Sequence, residues 1–292
     1  MKTLLLSMTA SLVFAGGAAH SQDAASSPQA PTAAEVLTGV SPQTREEQIG
    51  ETRTYVSETV QAGPGNVASR NRQTFTLETM ALTRNKILMR YRLKSAQAED
   101  ATRPYLAGLL QAYIDVPIEF EANLNGMPQR IINWTRVSQA LETNMAQALP
   151  AEEALRTGTL AGLNAMPDNV RALAILSDVA TLAQMQPRGP VRLGRVTAPE
   201  TRTPVADNRF VASTRFAELD MIEPARCTAR FQSGSSAQVA GAPDRTTTTL
   251  VGELSTLDGW ANTLERRTEA VSAQGTAVQT LTIRREATPG CG

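Results

Sequence analysis

Lys86-Ile87-Leu88-Met89-Arg90-Tyr91-Arg92-Leu93-Lys94 is the stretch on which the fold turns. Ile87, Met89, Tyr91 and Leu93 alternate with Lys86, Arg90, Arg92 and Lys94, and only Leu88 breaks the pattern. A period of two puts the apolar set on one face of a strand and the basic set on the other. One face therefore packs on a core and the other meets water, as in an antiparallel sheet.

Working outward, residues 73–82 read as the strand before it, and residues 54–60 as an earlier one across the turn-like Gly63-Pro64-Gly65-Asn66. Downstream, a helix is expected over 103–113, then a strand over Ile118-Glu119-Phe120-Glu121-Ala122 that runs into Asn125-Gly126, a hairpin signal. The return strand is residues 130–134. A two-residue loop pairs Phe120 with Ile131, whereas a three-residue loop of Asn125, Gly126 and Met127 pairs Phe120 with Ile132 and Ile118 with Trp134. Burial of the paired side chains favours the longer loop. Helices are expected over 136–148, 151–163 and 168–184, the last with a stripe of Val170, Leu173, Ala174, Leu176, Val179, Leu182 and Ala183. Pro187-Arg188-Gly189-Pro190 closes this section. Strands follow near 210–219, 225–231, 246–254, 263–271 and 278–284, with Asp258-Gly259 as a turn between two of them. Strands before and after a helical segment predict an α+β fold: an antiparallel sheet from N- and C-terminal strand regions with a central helical segment, about 135–186, packed on it. Whether the strands form one sheet or two is open at this stage.

The ends of the chain bear on compartment. Met1-Lys2-Thr3, an uncharged run from Leu4 to Ala19 and the small-flanked Ala19-His20-Ser21 read as a Sec-type signal peptide over 1–21. Its apolar core is short for a membrane span. Residues 22–48 lack apolar periodicity and are read as a disordered leader, and residues 49–292 as a single domain. The expected location is periplasmic or secreted, with no integral span after cleavage. The one histidine of the chain, His20, leaves with the signal peptide. Ser-His-Asp and Cys-His catalysis and HExxH zinc sites then have no imidazole to use. Cys227 and Cys291 are the two cysteines, and an even count in an oxidising compartment predicts that they pair. With 28 Lys+Arg against 28 Asp+Glu, the chain lacks the excess positive charge of a protein that binds nucleic acid through bulk electrostatics. No GxGxxG follows a strand, no GxxxxGK[ST] occurs, and neither a calcium loop nor a Cys/His cluster is present, so no metal and no cofactor is expected.

Three groups of residues are candidates for function. Lys86, Arg90, Arg92 and Lys94 form a basic row that can attract an anionic group, and Arg226, Thr228 and Arg230 form a second. The competing reading of both is a charged sheet face that discourages edge pairing. Glu119 and Glu121 share a strand face, with Asp115 upstream, and paired carboxylates can divide acid and base roles. Against catalysis, their alternation with Ile118 and Phe120 is that of an ordinary half-exposed strand. Trp260, directly after the Asp258-Gly259 turn and so nearer solvent than Trp134, is a candidate ligand contact, with packing as its competing role.

Residues 116–134, with a Gly-turned hairpin before a helix, and residues 252–268, with Asp258-Gly259-Trp260, resemble exported periplasmic bacterial proteins of uncharacterised families. The resemblance implies an α+β envelope protein and carries over no activity or site. The functional expectation is a non-enzymatic binding or scaffolding protein whose partner is a lipid, a glycan or an envelope protein. Its sharper form is a carrier whose pocket, lined by Ile87, Met89, Tyr91, Leu93 and Phe120, encloses a hydrophobic or anionic amphiphilic ligand, although the same residues also suit a plain core. The alternative is a carboxylate-dependent hydrolase acting on a cell-envelope polymer through Glu119, Glu121 or Asp115.

Overall fold

The computed structural model describes residues 47–63, 68–100, 103–184, 193–204, 210–239, 244–288 and 290. The signal peptide, nearly all of the leader, the Pro187–Pro190 break and Cys291 lie outside the described residues. Among the described residues, eleven strands pair antiparallel in one sheet: β1 (Thr52–Ala62), β2 (Ala68–Leu82), β3 (Ile87–Glu99), β4 (Ile118–Ala122), β5 (Pro128–Ile131), β6 (Gly194–Pro204), β7 (Phe210–Glu223), β8 (Thr228–Val239), β9 (Arg245–Ser255), β10 (Ala261–Ser272) and β11 (Gly275–Arg285). Their order is β5-β4-β3-β2-β1-β11-β10-β9-β8-β7-β6. The N- and C-terminal strand regions therefore join through the β1–β11 pair, with Ser57 opposite Ile283 and Tyr55 opposite Arg285. One sheet, not two, is the answer to the question left open by the sequence.

Among the described residues, four α-helices lie between β5 and β6, and a short one precedes them in the β3–β4 connection: α1 (Leu106–Gln111), α2 (Trp134–Ala148), α3 (Glu153–Ala165), α4 (Asp168–Ile175) and α5 (Ser177–Gln184), so that α2 to α5 make up the central helical segment. The side chains that period two predicts on one face of β3 are indeed inside: Ile87, Met89, Tyr91 and Leu93 are at most 5% exposed. They join Tyr55, Phe75, Leu77, Ile118 and Phe120 in one cluster with Val137, Leu141 and Met145 of α2 and Leu176, Val179 and Leu182 of the later helices. The helices thus cover the inner face of the sheet, and those β3 side chains form its core instead of lining a pocket.

Two expected elements differ in ways that have a physical cause. The single helix over 168–184 is two, broken at Leu176, whose backbone leaves the helical region at φ −106°, ψ 38°. Beyond the break, α5 buries the successive residues Val179, Ala180, Thr181, Leu182 and Ala183, the signature of a helix enclosed on most sides. Ahead of it, Arg171 donates to the carbonyls of Leu163 (2.8 Å), Met166 (2.7 Å) and Asn164 (3.3 Å), so it satisfies acceptors at the end of α3 that the helix itself leaves unpaired.

The β4–β5 hairpin takes the other register: Phe120 faces Ile131 and Glu121 faces Arg130, with an irregularity before Ala122 and Pro128. The strand ends at Ile131 because Asn133 is diverted to other work. Its side chain accepts from the Glu119 amide at 3.0 Å and donates to the Pro117 carbonyl at 2.9 Å, and Trp134 then opens α2. Ile131 is 6% exposed and Ile132 is 41% exposed. Ile131→Ala is expected to cost about 2–4 kcal/mol and Ile132→Ala less than about 0.5 kcal/mol. Urea midpoints of the two variants check this, and the order reverses under the longer-loop register.

Candidate functional site

Residues opposite one another in the sheet share a face, so the register places every candidate. Lys86, Arg90, Arg92 and Lys94 sit on or just before β3 and turn away from the helices, onto the outer face. There Arg90 bridges Glu78 (3.0 Å) and Glu119 (3.1 Å), Lys86 reaches Glu121 (2.9 Å), and Lys94 reaches Asp115 (3.0 Å). Glu121 also receives Arg130 at 2.9 Å. Lys86, Arg90 and Lys94 and the candidate carboxylates are therefore partners in one cross-strand ladder, whereas Arg92 takes no carboxylate among the described residues and has a buried Nε without a hydrogen-bond partner. Hydrogen bonds from Arg130 and Lys86 hold the Glu121 carboxyl below its ordinary range. A carboxylate so held stays ionised, which is the wrong state for a general acid. In the second basic row, Arg226 lies in a 3-10 turn paired with Glu223 (3.2 Å), Arg230 is 3.5 Å from Asp220, and Thr228 is buried.

Trp260 corrects an expectation: it is 1% exposed, not near solvent. The Asp258-Gly259 turn forms, with Gly259 at φ 70° and the Trp260 amide bonded to Asp258 Oδ1 at 3.0 Å. The turn is covered, however. The Arg53 guanidinium stacks 4.0 Å from the indole centroid, and Arg53 is itself ion-paired with Glu51 and, at 3.9 Å, with Glu47. Arg285 ties Asp258 (2.7 Å) to Glu51 (3.6 Å). Glu47, at the end of the expected leader, has a side chain only 3% exposed and accepts from Thr79 at 2.6 Å. Burial draws the Arg53 pKa down, against the opposing pull of Glu51 and Glu47. This is a structural clasp at one end of the sheet.

At the other end the inner face opens. Successive inner rows run Leu219-Phe231-Gly252-Leu264-Ile283-Ser57, then Ala217-Ser233-Leu250-Arg266-Leu281-Thr59, then Arg215-Ser235-Thr248-Thr268-Gln279-Gln61. Phe231, Leu264 and Ile283 are buried, whereas Ser233, Ser235, Thr248, Thr268 and Gln279 are half-buried and Arg215 is exposed. The helical cover thus stops near the second row. The boundary carries polar contacts from α5 to the sheet: Ser57 Oγ donates to Asp178 Oδ2 and Arg266 Nη1 donates to Thr181 Oγ1, each at 2.9 Å. Burial raises the Asp178 pKa, opposed by Ser57 and Arg266, and lowers that of Arg266, opposed by Asp178. Past the third row lies a pocket of about 300 Å³ with Val211, Ala237, Val239, Thr246, Ala270 and Val271 in its walls, and Asp244, Arg245 and Ser272 beside them. That volume is at the lower bound of small-molecule sites.

The reading of the sequence did not single out these residues. The available signal is a guanidinium on the inner set of β10, where Leu264 and Arg266 are two apart, and a small-residue run in β8 and β9. Among the described residues, no group of three or more His, Cys, Asp or Glu is placed to hold a metal ion, and no helix is long and apolar enough to cross a membrane.

No protein-family model matches the chain, and no curated protein is similar to it at a significant level. Solved structures that are similar include one described as lipid-protein interactions in lipovitellin, at a TM-score of 0.47 and 10% sequence identity, over 85% of this chain and 26% of that one. The chain spans about a quarter of the length of the structure it matches (26%). At that score and identity the likeness establishes neither a shared ligand nor a shared activity.

Proposed function

We propose that this is a non-enzymatic binding protein of the bacterial envelope that holds an amphiphilic ligand on the open part of its inner sheet face. The observation that carries the reading is the uneven cover of that face: helices seal its apolar end, while the far rows are half-buried and end in an apolar pocket. A sheet of this size needs its inner face covered, and small apolar and hydroxyl side chains such as Ala217, Ser233, Ala237 and Thr248 leave room above the backbone for a bound chain. The ligand lies on different residues from the five that the sequence nominated, since Ile87, Met89, Tyr91, Leu93 and Phe120 are core. Against an anionic partner on the outer basic row of Lys86, Arg90, Arg92 and Lys94 stands the pairing of Lys86, Arg90 and Lys94 with carboxylates; Arg92 alone holds none among the described residues.

Export to the periplasm belongs to the same proposal and rests on residues 1–21. The test is native mass spectrometry of the protein purified from the periplasm without detergent. A discrete additional mass, released on denaturation and extractable into organic solvent, is the expected result. A clean unliganded mass that stays unchanged after incubation with envelope lipid extract overturns it.

A further inference from the structure

Arg266 stands where a cation is costly. Its row neighbours on either side, Leu250 and Leu281, are 3% and 2% exposed, and burial is the main influence on its pKa, pulling it down. One guanidinium nitrogen is bonded to Thr181, and no carboxylate of the described residues lies within ion-pair distance of it. Asp178 acts on it from farther away while accepting the Ser57 hydroxyl. Arg266 is half-buried and its guanidinium makes one neutral hydrogen bond, so an anion that meets its remaining N–H groups adds charge-assisted bonds in partly desolvated surroundings. Unlike Arg53 and Arg285, which are sealed beneath the clasp, Arg266 borders the open rows.

The inner positions beyond it on β10 are Thr268 and Ala270. Thr268 and its neighbour Thr248 bring their hydroxyl oxygens to 3.3 Å, so that one donates to the other beneath a chain lying across them. Ala270 is in the wall of the apolar pocket. Ala270 lies four residue steps along the strand from Arg266, a track of about 13 Å. Asp244 and Arg245 beside the pocket carry opposite charges, which leaves the choice of ion to Arg266.

We infer that the ligand is a single-chain anionic amphiphile, with its acidic head on Arg266 and its tail running over Thr248 and Thr268 into the pocket between Ala237 and Ala270. This rests on the amphiphile reading above and adds the sign of the head and the direction of the tail. The test is calorimetric titration of the delipidated mature protein with dodecanoate, dodecyl phosphate and dodecanol. Dodecanoate is expected to bind at least tenfold more tightly than dodecanol, and dodecyl phosphate shows whether a phosphate head serves as well as a carboxylate.

In Arg266→Met, which keeps the stem between the two leucines, the preference over dodecanol is expected to vanish while dodecanol binding persists. In Ala237→Phe, which fills the pocket, all three probes are expected to weaken at least tenfold. Equal binding of dodecanoate and dodecanol to the unaltered protein overturns the assignment of the head and leaves the amphiphile reading standing. Binding of none of the probes overturns both. Because the comparison of probes uses the unaltered protein, it holds whether or not Arg266→Met folds.

Discussion

Trp260→Ala is expected to destabilise the protein by about 3–5 kcal/mol, the range for removing a large aromatic side chain from a packed core. The size follows from what the indole supports. It is 1% exposed, its centroid is 6.4 Å from that of Tyr55, and it lies under the Arg53 guanidinium. Removing it leaves a cavity and also strips the aromatic face from a buried arginine whose other nitrogens face Glu47 and Glu51. Trp260→Phe keeps a ring beneath Arg53 and is expected to lose less than half as much. Chemical denaturation with the midpoint and slope fitted for both variants measures it. A loss under 1 kcal/mol for the alanine variant refutes the clasp as the anchor of this end of the sheet.

The same residue shows where reading the sequence succeeds and where it stops. Asp258-Gly259 specifies its turn locally, through an Asp side chain that bonds the amide two residues on and a glycine at positive φ. Whether that turn meets water depends on Glu47, Glu51 and Arg285, which are distant in sequence, and no local pattern records their arrival. β3 was legible because it has a face of each kind, and its strict alternation survives in the fold. β6 was missed because Pro199 and Pro204 interrupt it. It is tolerated as a strand only because it is the last in the sheet, with its register shifted between Ala198 and Thr201 across the proline. Its arginines lie over aromatic rings of β7, Arg195 at 3.8 Å from Phe216 and Arg202 at 4.8 Å from Phe210, which gives an exposed edge strand an attachment beyond its backbone bonds. The hairpin register failed for a narrower reason. Ile131 and Ile132 are equally apolar, and the choice between them was made by the Asn133 side chain, a polar group that burial arguments do not weigh.

The candidate site was less legible than the fold, and the cause is physical. Charged rows announce themselves in a sequence, yet on an antiparallel sheet a row of arginine and lysine is most cheaply placed opposite a row of glutamate, as Arg90 is between Glu78 and Glu119. Such charges are conspicuous and already satisfied. The groups with unspent capacity are few and quiet: Arg266 and the small residues around the open rows become visible only when the register fixes which residues face inward.

Loss of the Cys227–Cys291 bridge is the other large effect expected. Cys227 has a left-handed backbone at φ 49°, directly after the 3-10 turn, and its carbonyl accepts from the Thr256 amide at 2.8 Å. Thr256 belongs to the connection between β9 and β10 that also holds Asp258, and Asp258 receives Arg285, the last residue of β11, at 2.7 Å. The chain therefore leaves the sheet at the end where Cys227 sits, and the six residues from Arg285 to Cys291 can span about 20 Å. We propose that the two cysteines are joined there. In the chain-entropy model a bridge closing a loop of this length contributes about 4 kcal/mol. Replacing both cysteines with serine is then expected to lower Tm by about 10 °C, and reduction of the native protein should do the same. Intact mass under denaturing conditions, with and without reductant, checks the bond through a gain of about two daltons. A protein whose mass and Tm are both indifferent to reductant has no such bridge, and the clasp around Trp260 then holds this end of the sheet without it.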